Sequence, residues 1–71
     1  MTTVIKQNIQ NGYYVSLSLT NSYNKDIYVV QVCPCINESM CGYPEKEMTY
    51  SIEDKKKAYA TYNRYIKKYC N

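Results

Sequence analysis

Residues 13–20 carry an apolar side chain at every second position, and this period restricts the local structure strongly. A period of two is typical of a β-strand with one buried and one open face. We therefore predict a strand over 13–20 that contacts the core through one set of side chains. The core-facing set is Tyr13, Val15, Leu17 and Leu19, and the open-facing set is Tyr14, Ser16, Ser18 and Thr20.

A second β-branched stretch, residues 27–33, follows a turn-rich segment at 21–26. Its clearer apolar set is Tyr28, Val30 and Val32. Two such stretches separated by a short polar turn favour an antiparallel hairpin. We predict that 13–20 and 27–33 form the central hairpin of a sheet.

A further strand is predicted over about residues 3–9, and its register depends on the turn around Gly12. A two-residue turn places Ile9 opposite Tyr14. A three-residue loop places Ile9 opposite Tyr13, and it pairs apolar with apolar side chains more consistently. We therefore predict the three-residue loop.

The second half of the chain begins with a predicted loop over residues 33–44, which contains three cysteines, two prolines and a glycine. A short strand over 45–50 follows, with Met48 and Tyr50 directed inward.

The C-terminal segment has the pattern of an amphipathic helix over about residues 52–69. Ser51 and Asp54 have the spacing of a capping box, which predicts the helix start. The predicted buried seam is Ile52, Tyr59, Tyr62, Ile66 and Tyr69.

Together these elements predict an α+β fold. An antiparallel meander of three or four strands is packed on one face by a single C-terminal helix. Residues 1–71 are expected to form one domain, because a chain of this length supports one small core.

Several function classes lack the residues that they need. The chain has no histidine, which removes the commonest general base, and its two glycines stand alone rather than in a phosphate-binding loop. We expect no enzymatic activity. No secretory leader or membrane-length apolar segment is present in the sequence, so we expect a cytoplasmic protein.

Four cysteines, Cys33, Cys35, Cys41 and Cys70, are open to three interpretations. In the first interpretation all four are reduced thiols, and in the second they bind one zinc ion together. In the third they form one or two disulfides. The zinc hypothesis requires the C-terminal helix to return Cys70 to the end of the sheet that carries the other three. No other cofactor is expected.

The net charge of +3 is concentrated in the C-terminal segment, which has six basic and two acidic residues over 51–71. Such a face is either a solvated helix surface or a surface that contacts phosphates. The residues predicted on this arc, the basic face, are Lys56, Lys57, Arg64, Lys67 and Lys68.

Tyrosine is overrepresented, with ten residues and neither Phe nor Trp. Six of them fit a core or its edge: Tyr13, Tyr28, Tyr50, Tyr59, Tyr62 and Tyr69. The remaining four are predicted at the surface and are candidates for contacts with a protein partner: Tyr14, Tyr23, Tyr43 and Tyr65.

Two functions of different classes follow from these features. The first is a small non-enzymatic module that binds a protein, as a regulator or inhibitor encoded by a phage or mobile element. The mobile-element context comes from Asn, Ile, Lys and Tyr, which have AT-rich codons and supply 31 of the 71 residues. The alternative is a nucleic-acid-binding protein that contacts the phosphate backbone through the basic face. A homodimer is compatible with both.

Overall fold

The computed structural model describes residues 2–37 and 40–70, and it has the predicted α+β architecture. Glu38 and Ser39, in the predicted loop, and both terminal residues lie outside the described residues. Within the described ranges, the chain forms β1 (Thr2–Gln10), β2 (Tyr13–Ser22), β3 (Lys25–Asn37), β4 (Met40–Cys41), β5 (Lys46–Ser51), a 3₁₀ turn (Ile52–Asp54) and α1 (Lys55–Tyr69).

The antiparallel sheet is centred on the β2–β3 hairpin. β1 pairs with β2, and both β4 and β5 pair with β3, so β1 and β5 are edge strands. The β2–β3 hairpin is longer than predicted, because Ser22 pairs with Lys25 across a two-residue turn. Tyr23 and Asn24 in this turn have φ angles of 52° and 64°, the left-handed geometry that tight hairpin turns require.

The core lies between this hairpin and α1, as the alternation predicts. Val15, Leu17, Val30 and Val32 are 0% exposed. They share one face because Val15 pairs with Val32 and Leu17 pairs with Val30. The helix covers that face, and these four aliphatic side chains form the centre of the buried cluster.

The predicted register of β1 is wrong. The turn has two residues, Asn11 and Gly12, with φ angles of 56° and 81°, and Ile9 pairs with Tyr14. A bulge between Val4 and Lys6 then shifts the register along the rest of the strand. The backbone twist of a two-residue turn of this type matches the right-handed twist of the two strands that it joins. This match in twist outweighs the gain from pairing apolar side chains across the strands.

Lys6 consequently lies opposite Leu17, on the face of the sheet that the helix covers. This position is tolerated because β1 is an edge strand and the side chain extends past the core. Its ammonium lies 5.4 Å from the centre of the Tyr59 ring, a favourable cation–π distance.

The helix begins later and is rotated relative to the prediction. Ser51 makes no cap hydrogen bond to the backbone; its hydroxyl donates to the Asp54 carboxylate at 3.3 Å, and α1 starts at Lys55. Ile52 is 47% exposed, so its predicted place in the seam is wrong. The buried helix residues are Ala58, Thr61, Tyr62 and Tyr65, with Tyr59, Ile66 and Tyr69 packed at the margin.

The predicted loop over residues 33–44 is also partly wrong. β3 continues to Asn37, and β4 returns alongside it through the pairs Cys35–Cys41 and Asn37–Met40. Next to this hairpin, β5 forms close to its predicted position. Met48 lies on the helix-covered face but remains 42% exposed, because β5 is an edge strand.

Candidate binding surface

The sheet has one face covered by α1 and an open face. The strand alternation places Tyr14, Ser16, Ser18 and Thr20 on the face of β2 that α1 does not cover, as predicted. Ser16 and Ser18 are nevertheless buried, at 3% and 8% exposure. The register adds side chains from the neighbouring strands β3 and β5: Ile27, Val29, Gln31, Cys33, Glu47, Thr49 and Ser51.

One end of the open face carries the β3–β4 hairpin, which we call the hairpin end (residues 34–37 and 40–45). A disulfide joins Cys35 to Cys41 across the two strands. The amide of Cys35 donates to the Gly12 carbonyl at 2.7 Å, which connects the hairpin to the β1–β2 turn. The amide of Gly42 donates to the Pro34 carbonyl at 2.8 Å. The disulfide and these bonds define the shape of the hairpin end.

Three large apolar side chains are exposed on the hairpin end, and we call them the apolar tip. Ile36 is 86% exposed, Met40 60% and Tyr43 94%. Single exposed apolar residues are normal on protein surfaces, but three large ones within residues 36–43 make this segment the candidate interaction site. The sequence places the loop over 33–44 in the expected contact surface and singles out Tyr43, but not Ile36 or Met40. Their signal was the presence of bulky apolar residues in a segment predicted to be a loop.

A groove of about 600 Å³ lies beside the apolar tip. It is lined by Gln7, Asn8, Ile9, Tyr14 and Cys41. The Tyr14 hydroxyl donates to Oε1 of Gln7 at 2.6 Å, which orients both side chains across the β1–β2 pair. The groove therefore offers amide groups and an aromatic ring next to the disulfide.

Charge is divided between the two sides of the sheet. Near the hairpin end, Glu47 lies on the open face and accepts a hydrogen bond from Nε2 of Gln31 at 2.7 Å. Glu45 is exposed beside it, and its amide donates to the Val32 carbonyl at 2.7 Å. The apolar tip thus has acidic neighbours, whereas six basic residues lie on the helix.

The four tyrosines predicted as protein contacts do not form one surface. Tyr14 lines the groove and Tyr43 belongs to the apolar tip, so these two lie at the hairpin end. Tyr23 is 96% exposed, but it lies in the β2–β3 turn at the opposite end of the sheet. The predicted exposure of Tyr65 is wrong: it is 8% exposed and its ring centre lies 6.0 Å from that of Tyr69.

The structure does not bring the four cysteine sulfurs together. Cys35 and Cys41 are in the disulfide, whereas Cys33 and Cys70 are free and buried. Cys33 pairs with Tyr14 on the open face, and Sγ of Cys70 lies 3.8 Å from the Tyr13 carbonyl in the core. No group of three or more potential metal ligands occurs in residues 2–37 and 40–70, so the zinc hypothesis gains no support.

Both free thiols are held in the neutral form. Burial raises the pKa of the Cys33 thiol, with a smaller contribution from the negative charge of Glu47. Burial also raises the pKa of the Cys70 thiol, partly offset by a backbone hydrogen bond at Gln10. A protonated thiol is a weak nucleophile, so neither residue is activated for thiol chemistry.

The basic face is exposed on the outer side of α1, as the helical pattern predicts. Lys57 lies 4.0 Å from the Asp54 carboxylate, and the Arg64 guanidinium lies 5.8 Å from the Tyr65 ring centre. An exposed ion pair contributes little to stability. The five residues form a solvated surface: Lys56, Lys57, Arg64, Lys67 and Lys68.

Comparison with protein-family models, characterised proteins and solved structures finds no match for this chain. In the part of the chain that the structure describes, no helix has the length and apolar character needed to span a bilayer. A functional proposal therefore depends on the geometry of the hairpin end and of the basic face.

Proposed function

We propose that this protein is a non-enzymatic binding module that engages a protein partner through the hairpin end. It acts as a regulator or inhibitor, in the manner of small accessory proteins of phages and mobile elements. The observation that carries the proposal is the exposure of Ile36 and Met40 on the disulfide-closed hairpin and of Tyr43 two residues beyond it. Desolvation of such side chains in a partner's pocket supplies much of the affinity of protein interfaces.

The shape of the hairpin end supports this proposal. A binding segment that is already ordered loses less conformational entropy when its partner binds. Here the disulfide and the backbone hydrogen bond from Cys35 to Gly12 constrain the segment in the unbound protein. The apolar tip is therefore presented on a preformed hairpin.

The surroundings of the tip suggest the chemistry of the partner. Glu45 and Glu47 lie beside the hairpin, and basic residues lie on the other side of the molecule. Opposite charges across an interface raise association rates and disfavour wrong partners. The proposed partner is a protein with an apolar cleft bordered by Lys or Arg.

Nucleic-acid binding through the basic face is the alternative function. It is favoured by the exposure of the five cationic side chains of the basic face on one helix. Arg is the side chain that most often reads guanine, and α1 has one, Arg64, so any contact would be mainly to the phosphate backbone. Such binding weakens steeply with salt.

Affinity capture with two matched variants separates the two functions. The tip variant replaces Ile36, Met40 and Tyr43 by Ser, and the basic-face variant replaces the five cationic residues by Gln. We expect nuclease treatment and moderate salt to leave a protein partner bound to the wild type and the basic-face variant. The tip variant should lose this partner. Loss with nuclease, or with the basic-face variant alone, would favour nucleic-acid binding and contradict our proposal.

A further inference from the structure

Among the described residues, the hairpin end is held by the disulfide and by backbone hydrogen bonds rather than by a packed core. β4 has two residues, and it pairs with β3 at Cys35–Cys41 and Asn37–Met40. None of residues 34–37 and 40–45 is buried, so apolar packing does not hold these residues in place. A short two-stranded ribbon without a packed face is marginally stable in water.

We propose that the Cys35–Cys41 disulfide is a thiol-sensitive switch that holds the apolar tip in its binding shape and releases it on reduction. Its effect on a partner rests on the proposed function, whereas the change in the hairpin is independent of it. The switch acts on the surface that carries Ile36, Met40 and Tyr43.

The chemistry is a thiol–disulfide exchange with a low-molecular-weight thiol such as glutathione. A glutathione thiolate attacks Sγ of Cys41, the more exposed of the two cysteines, and the Sγ–Sγ bond breaks. Cys35 leaves as a thiolate and takes up a proton. A second glutathione thiolate attacks the glutathione sulfur of the mixed disulfide formed at Cys41, and Cys41 leaves as a thiolate and takes up a proton. The products are two protein thiols and one glutathione disulfide.

The fold restricts the exchange to this pair of cysteines. Cys33 and Cys70 are buried on opposite faces of the sheet. The raised pKa of each thiol keeps it protonated, and a protonated thiol does not attack a disulfide. The protein therefore has two redox states rather than a mixture of shuffled disulfides.

The core does not depend on the disulfide. Val15, Leu17, Val30 and Val32 are packed under α1, on the face opposite the groove that Cys41 lines. Reduction is expected to loosen the hairpin while the sheet and the helix remain folded. Local opening of a segment with few buried contacts is the least costly opening that a fold undergoes.

Amide hydrogen exchange of the full chain in oxidised and reduced glutathione tests this directly. The probe is the Gly42 amide, which donates to the Pro34 carbonyl in the hairpin. On reduction its exchange should accelerate by about tenfold or more, while amides of β2 and α1 change by less than about twofold. The Cys35→Ser/Cys41→Ser variant should behave as the reduced protein in both buffers, and Cys33→Ser should retain the switch.

An equal exchange rate of the Gly42 amide in the two buffers would contradict the proposed switch. A general loss of protection of the β2 and α1 amides on reduction would also contradict it. Capture of the partner in each buffer distinguishes this failure from failure of the proposed function. If the hairpin opens but no protein binds in either state, the switch stands and the proposed function fails. If protein binds equally in both states while Gly42 is unchanged, the function stands and the switch fails.

Discussion

The helix-covered half of the sheet and the hairpin end use apolar side chains in opposite ways. Under α1, four aliphatic residues of β2 and β3 are completely buried. On the hairpin end, Ile36, Met40 and Tyr43 are between 60% and 94% exposed. The same class of side chain stabilises the fold in one region and remains available for binding in the other.

The two regions are also held together differently. In the covered half, Tyr rings pack around the aliphatic centre, as in the pair Tyr13–Tyr69 with ring centres 4.9 Å apart. The hairpin end is held by the disulfide and a few backbone hydrogen bonds. Substitutions at the hairpin end should therefore change binding with little effect on stability, and substitutions under α1 should do the reverse.

The largest effect on stability is expected from Leu17→Ala. Leu17 is 0% exposed at the centre of the core, and truncation removes buried methyl groups and leaves a cavity. The free energy of unfolding should fall by about 3 kcal/mol, measured by urea denaturation. Ile36→Ala is the matched control, and it should change this free energy by less than about 0.5 kcal/mol. Similar losses in the two variants would contradict the division between the regions.

A smaller loss is expected from Thr61→Val at the contact between α1 and β5. The hydroxyls of Thr61 and Tyr50 lie 2.6 Å apart and form a hydrogen bond in a partly buried site. Val preserves the shape of the side chain but removes the bond, which should cost about 1.5 kcal/mol. A double-mutant cycle with Tyr50→Phe should give less than the sum of the single losses. Additive losses would show that the two hydroxyls act independently.

A loss of about 1 kcal/mol is expected from Gly12→Ala, because Ala is strained at a φ angle of 81°. Gly42→Ala provides the comparison in the hairpin end. An added Cβ there meets Pro34 atoms at 3.7 and 3.9 Å, which is ordinary contact. Thermal denaturation should therefore show a lower Tm for Gly12→Ala and a nearly unchanged Tm for Gly42→Ala. The reverse order would contradict the turn geometry.

The smallest effect is a loss of stability at alkaline pH, which arises from buried groups that resist ionisation. Burial raises the pKa of Cys33, Cys70 and Tyr62 in the folded protein. The unfolded chain loses these protons at lower pH, so it binds fewer protons than the fold, and the free energy of unfolding falls as pH rises.

This loss should begin near pH 8.5, where an ordinary thiol ionises, and urea midpoints measured across the alkaline range should show it. Cys70→Ser removes one of the titrating groups and should make the decrease less steep. An unchanged midpoint up to about pH 10.5 would contradict the burial of these groups.

The structure agrees with the sequence where local periodicity decides the outcome. The alternation in residues 13–20 correctly separates the core side of β2 from its open side, because successive side chains of a strand point to opposite faces. The helix was predictable for a similar reason. Its rotation about its own axis was not, since that rotation depends on packing against the sheet, and Tyr65 is buried as a result.

The hairpin end was beyond prediction for a different reason. The prolines and the glycine after Cys33 favour a loop, and spacing alone does not determine which of the four cysteines pair. The extension of β3 and the return of β4 depend on contacts between Cys35 and Cys41 across the hairpin. The register of β1 differs from the prediction because the two-residue turn at Asn11 and Gly12 sets it, and a bulge near Lys6, which no periodic pattern indicates, then shifts it.

The most direct test of the central claim combines two measurements on the tip variant, with Ile36, Met40 and Tyr43 replaced by Ser. We predict a free energy of unfolding within about 1 kcal/mol of the wild type, together with loss of the captured protein partner. A variant that retains the partner, or that unfolds much more easily than the wild type, would contradict the claim that the hairpin end serves binding rather than stability.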